Sequence, residues 1–304
     1  MWILLPVAGM SIPLPILVGA GALAGFLSGM FGVSGAFLLT PILMMIGIPP
    51  TVAAASDSCQ IVAGSSSGVA AHFRLGNVDV KLGSVLLLGG LAGAAVGVRI
   101  IKILRTLGSA DFVITVTYVV VLGAIGGYMF FESRQSLRRG ALARKAHSPS
   151  PEQGLLSRLP FQMDFPRSQV RHSFFVPFLL CGIVGIVAAI MGVGGGFIMV
   201  PMMVYLLRMP MHKAVGTDLF QILFTSAGVT FLQATTNHTV DLMLALLLAA
   251  GSTIGAQIGA RVGRRLRGDQ LKILLASVVL VVMVKMAVGL LMTPGLQITP
   301  ARGH

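Results

Sequence analysis

The sequence predicts an all-α integral membrane protein built from two inverted repeats of about four helical elements each, with glycine-rich breaks in its helices. Three observations predict it. Of 304 residues, 55% are hydrophobic and 10% charged, with a mean hydropathy of +0.92, where a soluble domain carries roughly 25% charged residues. The apolar residues gather into ten runs separated by basic or glycine-rich stretches. Finally, the second half of the chain repeats the first.

A helix needs about 20 apolar residues to cross a bilayer. Runs of that order lie at 14–33, 51–71, 81–98, 111–131, 174–193, 213–233, 240–260 and 270–292, and two shorter ones at 36–48 and 197–207 cannot cross alone. The first run passes into "GMFGVSGAFLLTP" (29–41), and its counterpart into "MGVGGGF" (191–197). Glycine in a helix interior costs about 1 kcal/mol relative to alanine and admits backbone angles other residues avoid. Both stretches therefore read as breaks, with Gly194 to Gly196 the natural one in the second half. In 81–98 and 240–260, Gly89, Gly93, Gly97 and Gly251, Gly255, Gly259 recur every fourth residue, the spacing for close helix–helix approach; Arg99 and Arg261 follow as interface anchors.

The duplication is specific. Gly25, Gly32, Val33, Gly35, Phe37 and Pro41 recur 160 residues later as Gly185, Gly192, Val193, Gly195, Phe197 and Pro201. "ASDSCQ" (55–60) faces "GTDLFQ" (216–221) at an offset of 161, and Asp79 and Arg99 meet Asp241 and Arg261 at 162. The unit is roughly 130 residues long. The expected organisation is a first membrane repeat over 1–131, a basic cytoplasmic linker over 132–172 and a second repeat over 173–304. The linker carries eight basic residues against Glu132, Glu152 and Asp164 and reads as flexible. "MWILLPVAGM" has no basic stretch before its apolar residues, so the expectation is a retained segment rather than a cleaved signal.

The net charge of +13 would suggest nucleic acid in a soluble protein. Here Lys and Arg lie almost wholly between apolar runs, the positive-inside pattern, so a lipid bilayer and no nucleic acid is the expectation. Counting crossings outward from the linker, the cluster at Arg261–Lys272 falls outside if 174–207 crosses once, whereas Arg208, Lys213 and the cluster all fall inside if 174–207 enters and returns as a hairpin or crosses twice. Each half then crosses an odd number of times, which inverts the repeats. Arg99, Lys102 and Arg105 come out external on either count.

Candidate chemistry concentrates at the breaks. Ser34 in Gly-Val-Ser-Gly resembles a nucleophile's setting, but its counterpart is Gly194, and all six histidines lie at segment ends or in loops, away from the base that a serine needs. No catalytic residue is expected. Non-helical backbone at membrane depth is tolerated where it lines a cavity or is buried. The helices resuming at Phe37 and Phe197 would present N-termini with about half a positive charge, together an anion site near the midplane. Gly32, Ser34, Gly35, Gly192, Gly194 and Gly195 would supply backbone, and Ser56, Asp57, Gln60, Thr217, Asp218 and Gln221 would line or support the site. Asp57 and Asp218 read either as helix N-caps or as carriers of a cotransported proton. Ser65, Ser66, Thr225 and Ser226 could donate to oxyanions or serve as packing glue. Lys285, in "VVMVKMAVG", either faces the pathway as a charge partner or snorkels to the interface.

Cys59 and Cys181 both lie in apolar runs and imply neither disulfide nor metal. Met209, Met211 and His212 could in principle hold a soft ion, but the first half has no such set, and flexible core filling is the expected use of methionine. No metal, cofactor or P-loop is expected, so the energy for transport would come from a gradient or the solute.

The paired motifs "GMFGVSGAFLLTP" and "AIMGVGGGFIMVP", followed by "AAASDS" and "AVGTDL", together with the Gly-x-x-x-Gly-x-x-x-Gly-x-Arg helices, resemble the TauE/SafE family of sulfite and organosulfur anion exporters. The resemblance covers roughly residues 15–131 and 174–292. It implies an inner-membrane secondary carrier of about eight helices that moves sulfite, sulfoacetate or a similar small oxyanion. A passive anion channel, an intramembrane serine protease and a soft-metal carrier are the competing classes.

Overall fold

In lipid an apolar segment must satisfy its own backbone hydrogen bonds, which a single run can do as a helix. The computed structural model describes residues 2–31, 36–139, 162–165, 168, 170–263 and 268–292 and forms a helix on every one of the ten runs. These are α1 (Leu14–Phe31), α2 (Ala36–Met45), α3 (Pro50–Arg74), α4 (Val80–Thr106), α5 (Ala110–Arg139), α6 (Phe175–Met191), α7 (Gly196–Tyr205), α8 (Met211–Leu232), α9 (Leu242–Gly263) and α10 (Gly268–Met292). The two short runs become α2 and α7, ten residues each, with Pro41 and Pro201 inside them. By length and composition Val80–Thr106, Ala110–Tyr128, Met211–Asn237 and Leu242–Gly259 can each cross a membrane.

Two β-hairpins stand outside the helical pattern. β1 (Trp2–Leu5) pairs antiparallel with β2 (Met10–Pro13), and β3 (Gln162–Phe165) with β4 (Val170–Ser173). Their registers, Trp2 to Pro13 and Gln162 to Ser173, repeat at the same offset of 160 as the glycine motifs. The segment 132–172 is thus not linker throughout: 132–139 continue α5, and the second hairpin opens the second half as the first opens the first.

Packing follows the duplication. α1 lies along α9, α4 along α6, α5 along α10 and α3 along α8, with further contacts of α4 with α8 and α3 with α9. Since α1 corresponds to α6 and α4 to α9, each pairing maps onto itself or onto its twin, the pattern of a self-complementary interface. The four-residue glycine spacing makes the closest pairings possible. A Cβ on Gly93 would stand 1.9 Å from the Gly182 carbonyl oxygen, and one on Gly255 2.0 Å from that of Ala22.

Hydrogen bonds fix what shares each end of the bundle. At one end the Val7 amide donates to Asp241 (3.1 Å), the Thr51 amide to Asp111 (3.1 Å), and Arg105 to the Asn237 carbonyl. That last bond gives Arg105 a specific seat beside the π-helical turn Gln233–Asn237. At the other end Lys81 donates to the Asp164 carbonyl (2.9 Å), and Gly216 sits against the backbone of Asn77.

Candidate functional site

The second break is built by backbone conformation. α6 ends at Met191 and is capped by Gly192 (φ +73°), and Gly194 (φ +70°) and Gly195 (φ +80°) follow before α7 starts at Gly196. These left-handed angles are open to glycine and strained for other residues. Space makes the same demand: a Cβ on Gly192 would lie 2.0 Å from the Ala54 carbonyl oxygen of α3. Helix resumption at Gly196 comes one residue ahead of the Phe197 expected. The counterpart residues Gly32, Ser34 and Gly35 lie outside the described residues. Just beyond the two breaks, Phe37 and Phe197 stack with centroids 5.1 Å apart, so the duplicated segments meet at this point.

Ser56, Asp57, Gln60, Thr217, Asp218 and Gln221 are all buried. The N-cap reading of Asp57 and Asp218 is corrected: α3 begins at Pro50 and α8 at Met211, so both carboxylates project a full two turns inside their helices. The seven residues ahead of each Asp, PTVAAAS in α3 and MHKAVGT in α8, are already helical, so neither Asp stands at a helix start. The caps are Asp79 and Asp241, whose Oδ1 atoms accept from the amides of Leu82 and Leu244, both at 3.1 Å.

The Asp57 carboxylate accepts from the Thr40 hydroxyl through Oδ2 (2.7 Å), while its Oδ1 has no hydrogen-bond partner. In the second half valine stands at the position of Thr40, Val200. There Oδ2 of Asp218 faces Gly196, 2.6 Å from where a Cβ would be, and Oδ1 again has no partner. Gln60 donates to Ser252 of α9 (2.5 Å), and Gln221 donates to Thr225 (2.8 Å) while lying against Gly90 of α4. Each buried carboxylate thus sits on a long helix, beside a short broken one, next to a glutamine that reaches the other half.

Ser56 and Thr217 do different work from lining a pocket. The Asp241 amide donates to the Ser56 hydroxyl (3.0 Å) and the Asp79 amide to that of Thr217 (3.1 Å). The free carboxylate oxygens of the two caps then hold the hairpins: Oδ2 of Asp241 accepts from Val7, and Oδ2 of Asp79 from the amide (3.0 Å) and hydroxyl (2.6 Å) of Ser168. A chain of contacts therefore runs from each hairpin, through a cap and a hydroxyl, to the residue immediately before a buried Asp.

Lys285 is not part of this group. It is exposed on α10 in a shallow apolar groove with Val281, Val284 and Val288, the setting of a snorkelling side chain. Met209 is buried while Met211 is exposed, so the two do not converge on an ion. Sequence reasoning missed Thr40 because it has no twin, and Tyr118, which is fully buried on α5 and donates to the carbonyl of Met191 (2.5 Å) at the end of α6. Comparing the halves finds what repeats and passes over what supports one half alone.

The family model described as sulfite exporter TauE/SafE matches residues 17–286, a span that takes in both breaks, both buried carboxylates and all ten helices in whole or part. The chain belongs to the sulfite exporter TauE/SafE family. It is 29% identical over 264 residues to the probable membrane transporter protein YjnA of Bacillus subtilis, covering 86% of this chain and 94% of that one. It is 25% identical over 248 residues to the probable membrane transporter protein YunE of the same organism, covering 78% and 84%. A shorter match, 30% over 100 residues, is to sulfite exporter TauE/SafE family protein 1 of Arabidopsis thaliana, covering 33% of this chain and 22% of that one. No solved structure matches. The TauE/SafE chain described here is accordingly a membrane transporter rather than an enzyme.

Proposed function

We propose that this TauE/SafE chain is a multi-pass carrier of the inner membrane that exports a small sulfur oxyanion, sulfite, sulfoacetate or a related organosulfonate, together with a proton. The observation that carries this reading is the pair of buried carboxylates, Asp57 and Asp218, each with one oxygen lacking a partner beside a broken helix. The N-terminus of α7 is suited to a negative charge. Two negative charges about 4 Å apart repel by roughly 4 kcal/mol at an effective dielectric constant of 20, so an anion that shares this space with a carboxylate is favoured to move with a proton.

The reading includes two halves of opposite orientation. Its support is that the C-terminal part of α3 and the turn after it lie at the start of α8: Asn77, three residues beyond α3, touches Gly216, and Gly68 touches Leu219. Corresponding helices whose opposite ends meet are related by inversion, the architecture in which broken helices build a site at the repeat interface.

The test is uptake of radiolabelled sulfite into proteoliposomes, with and without an imposed pH gradient, and with unlabelled sulfonates as competitors. Saturable, competed flux that responds to the gradient is the expected result, and Asp57→Asn with Asp218→Asn abolishes the response. Ohmic, unsaturable flux makes the protein a channel, and retention of the gradient response in the double variant removes the carboxylates from coupling.

A further inference from the structure

Among the described residues six buried side-chain atoms lack any hydrogen-bond partner: Asp57 Oδ1, His72 Nδ1, Asp218 Oδ1, Ser226 Oγ, Thr230 Oγ1 and Asn237 Oδ1. Buried polar groups are nearly always paired, and each exception calls for an explanation, because an unmade bond in the interior costs about 1–3 kcal/mol. Four of these six belong to one continuous element, α8 with its π-helical extension. Their spacing, 218, 226, 230 and 237, keeps them within one broad sector of a helix with 3.6 residues per turn, running from the second break to the end of the bundle that holds Arg105. The stripe starts at the glycines themselves: a Cβ on Gly196 would meet Asp218, and one on Gly194 would stand 2.9 Å from the Ser226 hydroxyl.

Among the described side chains, the twin helix α3 has such atoms only near its two ends, Asp57 Oδ1 and His72 Nδ1, and none between them. Ser65, which corresponds to Ser226, closes its hydroxyl onto the Ile61 carbonyl (2.7 Å), and the counterpart of Thr230 is Val69. Asp57 has Thr40 on one oxygen, whereas Val200 offers Asp218 nothing. The two helices pack against each other and share their main partners by correspondence, α3 with α2 and α9 and α8 with α7 and α4.

We propose that the two halves have divided their labour: a single face of α8, through Asp218, Ser226, Thr230 and Asn237, lines the path of the solute beyond the breaks, whereas α3 contributes Asp57 at the first break and no continuation of the path. The occupant is a small hydrated oxyanion. Its oxygens accept from the Ser226 and Thr230 hydroxyls, and the carboxyl of Asp218 meets it at the break, where the α7 N-terminus lies. The π-helical turn supports this assignment, since such turns are frequent at functional sites and this one presents Gln233 and Asn237 to the interior. The assignment rests on the anion-carrier reading for the identity of the solute, but not for the position of the path.

The experiment has two readouts. In a Cys59→Ala, Cys181→Ala background, single cysteines at Ser226, Thr230 and Ser65 are exposed in proteoliposomes to a small charged methanethiosulfonate. Reaction at Ser226→Cys and Thr230→Cys, slowed by methanesulfonate, with Ser65→Cys inert, is expected. In parallel, Ser226→Ala raises the KM for sulfite about tenfold, the loss of one hydrogen bond to a charged group, while Ser65→Ala leaves it unchanged and Ser226→Thr restores it in part. If Ser65→Cys reacts as readily as Ser226→Cys, or neither does, the one-sided path is overturned whatever the flux. If the labelling pattern holds while wild-type protein moves no sulfur oxyanion, the path stands and the choice of solute falls.

Discussion

Gly192 and Gly64 differ only in where the fold has put them. Gly64 lies in the middle of α3, and a Cβ there would meet nothing nearer than the Gln60 side chain at 3.9 Å. Gly64→Ala is expected to raise stability by about 0.5–1 kcal/mol through helix propensity. Gly192→Ala must hold a left-handed angle and push its Cβ into the Ala54 carbonyl, so thermal unfolding in detergent shows it several degrees below wild type. Such glycines were legible beforehand, because the duplicated pattern and the run of three glycines name a break without any structure. The partner of Asp57 was not legible in that way. Thr40 is a lone hydroxyl in an apolar helix, facing valine in the other copy, and only the fold brings it to 2.7 Å from the carboxylate. Thr40→Val makes the first half resemble the second and leaves Asp57 without its donor. The expected loss is about 1–3 kcal/mol, read as a lower unfolding midpoint with the helical content intact.

At the scale of elements, periodic glycine and apolar length were sufficient to find all ten helices, since a membrane helix must be apolar along its whole length and its packing face must be small. The hairpins escaped because four-residue strands carry little pattern, and because "WILL" and "MSIP" share no residues in register with "QMDF" and "VRHS". What was conserved between the halves is the device that holds them: a cap carboxylate with one oxygen on its own helix and the other on a hairpin. Asp79→Ala removes both functions at once, the α4 cap, worth about 1 kcal/mol, and the seat of Ser168. Ser168→Ala removes only the hydroxyl bond and leaves the amide bond to Asp79 in place. Limited proteolysis across 140–173 is therefore expected to accelerate strongly in Asp79→Ala and modestly in Ser168→Ala. Equal rates in the two variants would mean that the hairpin is held by its apolar contacts rather than by the carboxylate.

For the whole molecule the decisive quantity is the relative orientation of the halves, which the sequence reaches only through charge counting. That count turns on whether α6 and α7 enter and return, and on the external position it assigns to Arg99, Lys102 and Arg105. The contacts add an independent line. The α3–α4 turn, the second hairpin and the start of α8 share one end of the bundle, and the π-helical turn, Arg105 and the first hairpin share the other. Leu75 and Thr235 are near-equivalent positions of the two repeats, at the ends of α3 and α8, and both are exposed. Opposed halves put them on opposite sides of the membrane, and parallel halves put them on the same side. With Cys59 and Cys181 replaced by alanine, Leu75→Cys is expected to react with an impermeant thiol reagent only from the cytoplasmic face, beside Arg74, Lys81, Arg208 and Lys213, as the positive-inside rule requires. Thr235→Cys is expected to react only from outside. Leu107 and Met211, exposed at 71% and 52%, extend the test, since Leu107→Cys must follow Thr235 and Met211→Cys must follow Leu75. Labelling of Leu75→Cys and Thr235→Cys from a single face would make the halves parallel, and the proposed site between opposed broken helices would have to be abandoned together with the inversion.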